Sequence, residues 1–334
     1  MAHIIRILGT EAQFPCDSGE NILDAALRAG IEMPYSCRKG VCGNCAGAVS
    51  SGQTQCSPTA SAEATPPGQV LYCQCSPLGD LEIAPTAWKR IEPGARKRFV
   101  AKVFRNTRAA PDVSILHLRL PTGQRAKFSA GQYLQVTLPD GSKRSYSMAN
   151  PPHESDTLQL HIRHVADGQF TQIVPDLAPG DTLEVELPYG HFELNEASEA
   201  PMLCVAGGTG FAPVKSLLDD LVRKKSQRQV TLVWGSRDLA GIYLLEAVQR
   251  WRKSLPGMHF IMAIEDPAQA EAAGAFQGRA DAAVEANFQS LAGYEAYCCG
   301  APPMVAAVRA ACTQALGLEP SQFFSDVFVP GPAA

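Results

Sequence analysis

Tyr35-Ser36-Cys37-Arg38-Lys39-Gly40-Val41-Cys42-Gly43-Asn44-Cys45 carries three cysteines at C-x4-C-x2-C spacing, and Leu71-Tyr72-Cys73-Gln74-Cys75 brings further thiols back at a distance. Three thiolates on one loop, with a fourth returning from elsewhere, is the ligand pattern of a [2Fe–2S] cluster. Structural zinc sites usually pair two C-x2-C arms, and no such second arm follows. Gly40, Gly43 and Gly47 let the backbone wrap tightly round inorganic sulfur with amide N–H groups turned inward. Spacing alone leaves the fourth ligand as Cys73 or Cys75.

Working outward, seven of the eleven cysteines lie between Cys16 and Cys75, and the others are Cys204, Cys298, Cys299 and Cys312. In a reducing compartment, clustered thiols more often bind metal or do redox chemistry than form disulfides. The 334 residues call for two or three domains. With 46% hydrophobic and 19% charged residues, the composition is that of a folded chain. A net charge of −4 argues against a nucleic-acid partner, which needs a basic face. No apolar run approaches the roughly 20 residues that span a bilayer, and the start lacks the features of a secretory signal. The expectation is a cytoplasmic protein with no membrane partner.

Three segments separate by composition. Residues 1–88 hold the cysteine cluster, with four basic against eight acidic residues. Residues 89–98 form a basic linker broken by Pro93-Gly94, as in an exposed interdomain connection. Residues 99–200 alternate short β-like runs, at 113–120, 133–138, 158–165 and 182–187, with turns such as Pro139-Asp140-Gly141, which predicts an antiparallel barrel. Residues 201–334 switch to strand, helix, strand: 202–205 apolar, 214–224 helical, 229–234 apolar, 242–251 helical. That alternation predicts a parallel α/β sheet. Its first strand runs into Gly207-Gly208-Thr209-Gly210-Phe211-Ala212-Pro213, a glycine turn opening a helix, where backbone amides and the helix dipole can hold a pyrophosphate.

The first segment resembles plant-type ferredoxins through residues 35–45 and through Asp17-Ser18-Gly19-Glu20-Asn21-Ile22-Leu23-Asp24-Ala25-Ala26. The resemblance implies a β-grasp fold and, by the pattern L-x-C-x-x-x-P with Pro77 matching, Cys73 as the fourth ligand beside Cys37, Cys42 and Cys45. Cys75, Cys16 and Cys56 are then bystanders. The rest resembles the ferredoxin–NADP reductase family. Arg144-Ser145-Tyr146-Ser147 matches its R-x-Y-S flavin motif, in which arginine meets the pyrophosphate, tyrosine lies on the isoalloxazine ring and serine reaches the N5 edge. His161, Arg163, Gly168 and Thr171 match the second flavin segment. The G-x-G-x-x-P form of the 207–213 loop matches the family's NAD(P) turn, involving Gly207, Gly208, Thr209 and Gly210. Tyr297-Cys298-Cys299-Gly300-Ala301-Pro302-Pro303-Met304-Val305 matches the segment near the nicotinamide, with Cys299 as a packing neighbour. Phe323-Phe324-Ser325-Asp326-Val327-Phe328 matches the closing strand, with Phe328 over the flavin and Asp326 beside it.

Taken together, the chain resembles reductase components of aromatic-ring-hydroxylating oxygenases. That implies electron transfer from NAD(P)H through FAD and a [2Fe–2S] cluster to an oxygenase component. A reductase for another acceptor, such as a monooxygenase or a deoxysugar dehydratase, or a non-enzymatic redox carrier, would share these motifs. The nucleotide choice is read from Gly235-Ser236-Arg237-Asp238 after the second α/β strand, where the adenosine ribose lies in such sheets. Ser236 and Arg237 suit the 2′-phosphate of NADPH, whereas an inward Asp238 would favour NADH.

Overall fold

The computed structural model describes residues 2–329 except 59, 62–64, 93 and 167. Pro93 of the expected linker and residues 330–334 of the last segment lie outside the described residues. The chain divides into two compact units, up to residue 95 and from residue 96 on.

In the first unit, buried Phe14 and Cys16 alternate with exposed neighbours along the strand Gln13–Asp17, the period-two pattern of a half-buried strand. That strand pairs antiparallel with Ala2–Ile7, which in turn runs parallel to Leu81–Pro85. The sheet continues through Ala46–Ser51 to Val70–Leu71. The helix Ile22–Arg28 begins where the Asn21 side chain accepts the Asp24 N–H at 2.8 Å, and it buries Ile22, Leu23, Ala25 and Ala26. This is the β-grasp arrangement. Lys89–Arg90 pairs with Ile31–Glu32, and the strand Lys97–Ala110 opens the second unit, so strands take both ends of the 89–98 stretch.

The second unit begins with six antiparallel strands in the order Lys143–Ser147, Tyr133–Thr137, Thr182–Tyr189, Lys97–Ala110, Val113–Arg119 and Thr157–Arg163. A bridge between Met148 and Leu160 joins the two ends of this sheet and closes the barrel. Leu116, Leu134, Leu158, Leu160, Phe170 and Val185 fill it. The remainder is a parallel sheet ordered Phe276–Gln277, His259–Ile264, Val230–Ser236, Met202–Gly207, Glu295–Gly300, Phe323–Val327. The chain steps outward in one direction from Met202–Gly207 and then returns to its other side, which makes the carboxyl ends of Met202–Gly207 and Glu295–Gly300 a topological switch point. The expected helix at 242–251 starts later, at Leu245–Ser254, because residues 239–244 form a 3₁₀ turn and then a second, irregular turn first. No helix among the described residues is long and apolar enough to cross a membrane.

Two side chains of the helix Phe211–Arg223 tie the sheet to the barrel. Lys215 Nζ donates to the Ala149 carbonyl at 3.0 Å and Ser216 Oγ to the Asn150 carbonyl at 2.8 Å. Beneath the switch point, Arg228 and Glu295 form an ion pair of 2.7 Å with side chains 4% and 2% exposed. The Glu295 carboxylate also accepts from Asn195 and Tyr297, and Arg228 also donates to the Ala200 carbonyl. A buried pair of this kind is costly to break because the survivor is left charged and dry. Arg228→Ala is expected to lower unfolding free energy by about 3 kcal/mol or more, measured by denaturant titration. Arg228→Met with Glu295→Gln, which removes the stranded charge, should recover part of the loss. A loss below about 1 kcal/mol for Arg228→Ala would show that the pair is dispensable.

Candidate functional site

Left-handed backbone at Arg38 (φ 54°), Gly40 (φ 74°) and Gly43 (φ 78°) curls the 36–45 loop back on itself. Arg38 holds this conformation with its guanidinium paired to the Asp24 carboxylate. At Gly40 there is no room for a side chain, since a Cβ would lie 2.7 Å from Gln74 Cγ and 3.2 Å from Ala60 Cα. Tyr72 N–H donates to the Cys45 carbonyl at 3.0 Å, which carries the returning segment back to the loop. The Cys45 and Cys73 sulfurs come to 3.2 Å. Cys37 is hydrogen-bonded to Cys42 and receives the Lys39 N–H at 3.3 Å. The Cys42 thiol, with backbone N–H groups behind it, holds Cys37 well below the usual thiol range, and Cys45 lowers Cys73.

Among the described residues, no three His, Cys, Asp or Glu side chains close on a single ion. The four thiols instead meet as two pairs, Cys37 with Cys42 and Cys45 with Cys73, and a binuclear iron centre with two thiolates per iron takes that donor set. Cys56 and Cys75, expected to be bystanders to the cluster, are joined to each other as a disulfide. They stand directly opposite each other on the paired strands Thr54–Cys56 and Cys75–Pro77, a juxtaposition that cysteine spacing does not reveal. Cys16 is a buried free thiol whose pKa burial pushes up to about 11.

In the second unit the expected flavin residues lie along two barrel strands. Tyr146, half-buried, packs its ring 5.3 Å from that of Phe170, and burial pushes its hydroxyl pKa up. Arg144 donates to Gln169 Oε1 at 2.6 Å, which sets it over the start of the short helix Gln169–Ile173, where Gly168 provides no side-chain cap. Thr171 is turned inward, bonding the backbone of Val165 and the Gly168 carbonyl, so its hydroxyl shapes the turn. His161 meets residues of the other half of the unit, its ring 5.5 Å from that of Tyr243. Its Nδ1 meets the Tyr243 hydroxyl at 2.9 Å, and its buried Nε2 has no partner among the described residues. Burial, and then the Lys215 charge, keep this ring neutral. Arg163 pairs with Asp112 at 3.0 Å and lies against the glycine turn, where a Cβ on Gly208 would stand 2.9 Å from its Nη2.

The turn Gly208–Gly210 and the helix Phe211–Arg223 both start without a side-chain cap, leaving their leading amides open to an anion. A Cβ at Gly210 would fall on the Cys299 carbonyl oxygen, and one at Gly207 would stand 2.9 Å from Met304 Cε. Cys299 is fully buried, which holds its thiol well above the ordinary range and so protonated. It registers with Asp326 on the neighbouring strand Phe323–Val327. Asp326 Oδ2 accepts from Ser147 Oγ of the barrel at 3.4 Å, and Phe328 N–H donates to the Gly300 carbonyl at 2.9 Å. The structure therefore brings Ser147, Asp326, Phe328, Cys299 and the glycine turn to one place, the switch point.

At the end of Val230–Ser236, Arg237 is exposed. Asp238 Oδ1 accepts the Gly241 N–H at 3.1 Å as the cap of the following turn. Sequence reading missed Gln169 and Tyr243, which lie 25 and 82 residues from the groups they meet, Arg144 and His161. No local signal marks such pairs.

Comparison with known proteins matches the 2Fe-2S iron-sulfur cluster binding domain to residues 5–78, the oxidoreductase FAD-binding domain to residues 100–194 and the oxidoreductase NAD-binding domain to residues 204–310. The chain is 51% identical to terephthalate 1,2-dioxygenase reductase component 1 of Comamonas sp, over 99% of both chains. It is 32% identical to the CDP-6-deoxy-L-threo-D-glycero-4-hexulose-3-dehydrase reductase of Yersinia pseudotuberculosis, over 95% of both. Among solved structures, the Amycolatopsis cytochrome P450 reductase GcoB superposes with a TM-score of 0.76 at 31% identity, covering 98% of this chain and 99% of that one. Full-length likeness of this order, with all three domains in the same sequence, makes the chain an oxidoreductase of the family that joins [2Fe–2S], FAD-binding and NAD-binding domains in one polypeptide, the family of the terephthalate 1,2-dioxygenase reductase components.

Proposed function

We propose that this chain is the reductase component of a terephthalate dioxygenase, drawing electrons from NADPH and delivering them one at a time to an oxygenase component. One observation carries the reading: barrel and α/β sheet meet at the switch point through Ser147 and Asp326, 3.4 Å apart, in a chain that also gathers four thiols in two pairs. When bound, FAD takes a hydride's two electrons from the nicotinamide and releases them singly to the cluster. Identity of 51% to a terephthalate reductase against 32% to a deoxysugar-dehydratase reductase favours the dioxygenase as acceptor.

The residues divide the work. Arg144 and the open start at Gly168 hold the flavin pyrophosphate, and Tyr146 supports the ring. Ser147, whose hydroxyl donates to Asp326, would stand at the flavin N5 edge and hold a proton there. Phe328 would cover the bound flavin ring, and the backbone amides of Gly207, Gly208, Thr209 and Gly210 would bind the nucleotide pyrophosphate. Cys299, protonated and buried, packs beside the nicotinamide and does no covalent chemistry. Thr171, His161 and Arg163 act one step back, shaping the turn, buttressing the barrel and backing the glycine loop. Cys37, Cys42, Cys45 and Cys73 hold the cluster. Ser236 and Arg237 take the 2′-phosphate, and Asp238 is no rival because its carboxylate caps the next turn.

Three outcomes test this. Replacing any of Cys37, Cys42, Cys45 or Cys73 by Ala should abolish the rhombic EPR signal of the reduced protein, whereas freshly loaded Cys75→Ala should show it; the reverse for Cys73 and Cys75 would refute the ligand set. Arg237→Ala should raise KM for NADPH about tenfold, the loss of a charged hydrogen bond, and leave that for NADH nearly unchanged. A wild-type preference for NADH would contradict the assignment. Finally, residues 1–88 have four basic and eight acidic residues, which suits a basic patch on the oxygenase. NADPH-driven turnover with a purified terephthalate oxygenase should therefore exceed that with a deoxysugar dehydratase and fall as salt rises. Turnover indifferent to ionic strength would count against such docking.

A further inference from the structure

The disulfide Cys56–Cys75 has no part in the electron path described above, yet it sits beside it. It closes the 57–74 segment, with a sequence separation of 19. Two of its described residues meet the cluster loop: Ser61 N–H donates to the Gly40 carbonyl at 2.9 Å, and Gln74 Nε2 donates to the Arg38 carbonyl at 3.4 Å. Ser57 N–H donates to the Gln74 carbonyl at 2.8 Å, so the residue after Cys56 is bonded to the residue between Cys73 and Cys75. The two sulfurs differ in access. Cys75 is 1% exposed, whereas Cys56 is exposed and lines a cavity of about 550 Å³ with Ser57, Gln74, Pro77 and Leu78.

We propose that Cys56–Cys75 is a redox-sensitive clasp on the cluster site, opened by a small dithiol that enters this cavity and attacks the Cys56 sulfur. A thiolate of the dithiol forms a bond to Cys56 and breaks the Cys56–Cys75 bond, and Cys75 leaves and takes up a proton in its buried site. The second thiol of the reductant then displaces Cys56. The reductant departs as its own disulfide, and the protein gains two electrons and two protons as two thiols. Opening removes the crosslink that helps hold Ser61 and Gln74 against Gly40 and Arg38 of the cluster loop. The clasped form retains the cluster and the opened form surrenders it, which makes electron delivery responsive to thiol redox state. Exposed disulfides are the labile, regulatory kind.

This inference rests on the reading of Cys37, Cys42, Cys45 and Cys73 as cluster ligands. The test uses the cluster-loaded holoenzyme, treated with or without dithiothreitol, with three readouts: alkylation of Cys56 and Cys75 by mass spectrometry, the rate of iron release to a chelator, and flavin reduction by NADPH. Dithiothreitol should expose Cys56 and Cys75 to alkylation and speed iron release about tenfold or more, with flavin reduction unchanged. Cys56→Ser should release iron at the fast rate with or without dithiol. Both cysteines alkylated before any dithiol, or opened by it with no change in iron release, would overturn the clasp while leaving the ligand reading intact. A holoenzyme without a cluster EPR signal before treatment would overturn both.

Discussion

The peptide carbonyl of Cys299 occupies the space that a Cβ at position 210 would need. Only glycine lets the nucleotide turn pass there, and that close passage fixes much of the second unit. It seats the helix Phe211–Arg223 against the strand Glu295–Gly300, from which Lys215 and Ser216 reach the barrel. It places the turn beside Asp326, which registers with Cys299 and meets Ser147. A bulkier residue would push the turn outward and part the groups that hydride transfer has to bring together.

Desolvation governs the chemistry at this point. Cys299, His161 and Tyr243 are buried deeply enough to stay uncharged, with the Cys299 and Tyr243 pKa values raised and that of His161 lowered. Charge is kept to the rim, on Arg144, Arg163 and Asp326. On the proposed reading, such a site handles hydride without a competing nucleophile or base. In the cluster loop each close thiol pair shares its proton unevenly: Cys37 and Cys73 are held low by their partners, while Cys42 and Cys45 are pushed up by theirs.

What the sequence disclosed was what is local. The C-x4-C-x2-C run, the glycine turn after an apolar strand and the period-two runs of the barrel each carry their physics within a dozen residues, and the folded chain shows each where expected. Side-chain direction is less legible. Thr171 turns back on Val165, only six residues away, but His161 is oriented by Tyr243, 82 residues away in the other half of the unit. The Cys56–Cys75 pairing depends on the register of two short strands, which thiol spacing does not specify. The capping role of Asp238 follows from the 3₁₀ turn after it, and that turn also delays the helix at Leu245.

The central claim is that electrons enter as a pair at the switch point and leave singly through the thiol-held cluster. Anaerobic rapid mixing of the holoprotein with NADPH, followed by flavin absorbance and by EPR of freeze-quenched samples, tests it most directly. The account predicts that flavin absorbance falls first and that the rhombic cluster signal then grows at the rate of a second flavin phase. A cluster signal that precedes flavin bleaching, or never appears while the flavin is fully reduced, would contradict it.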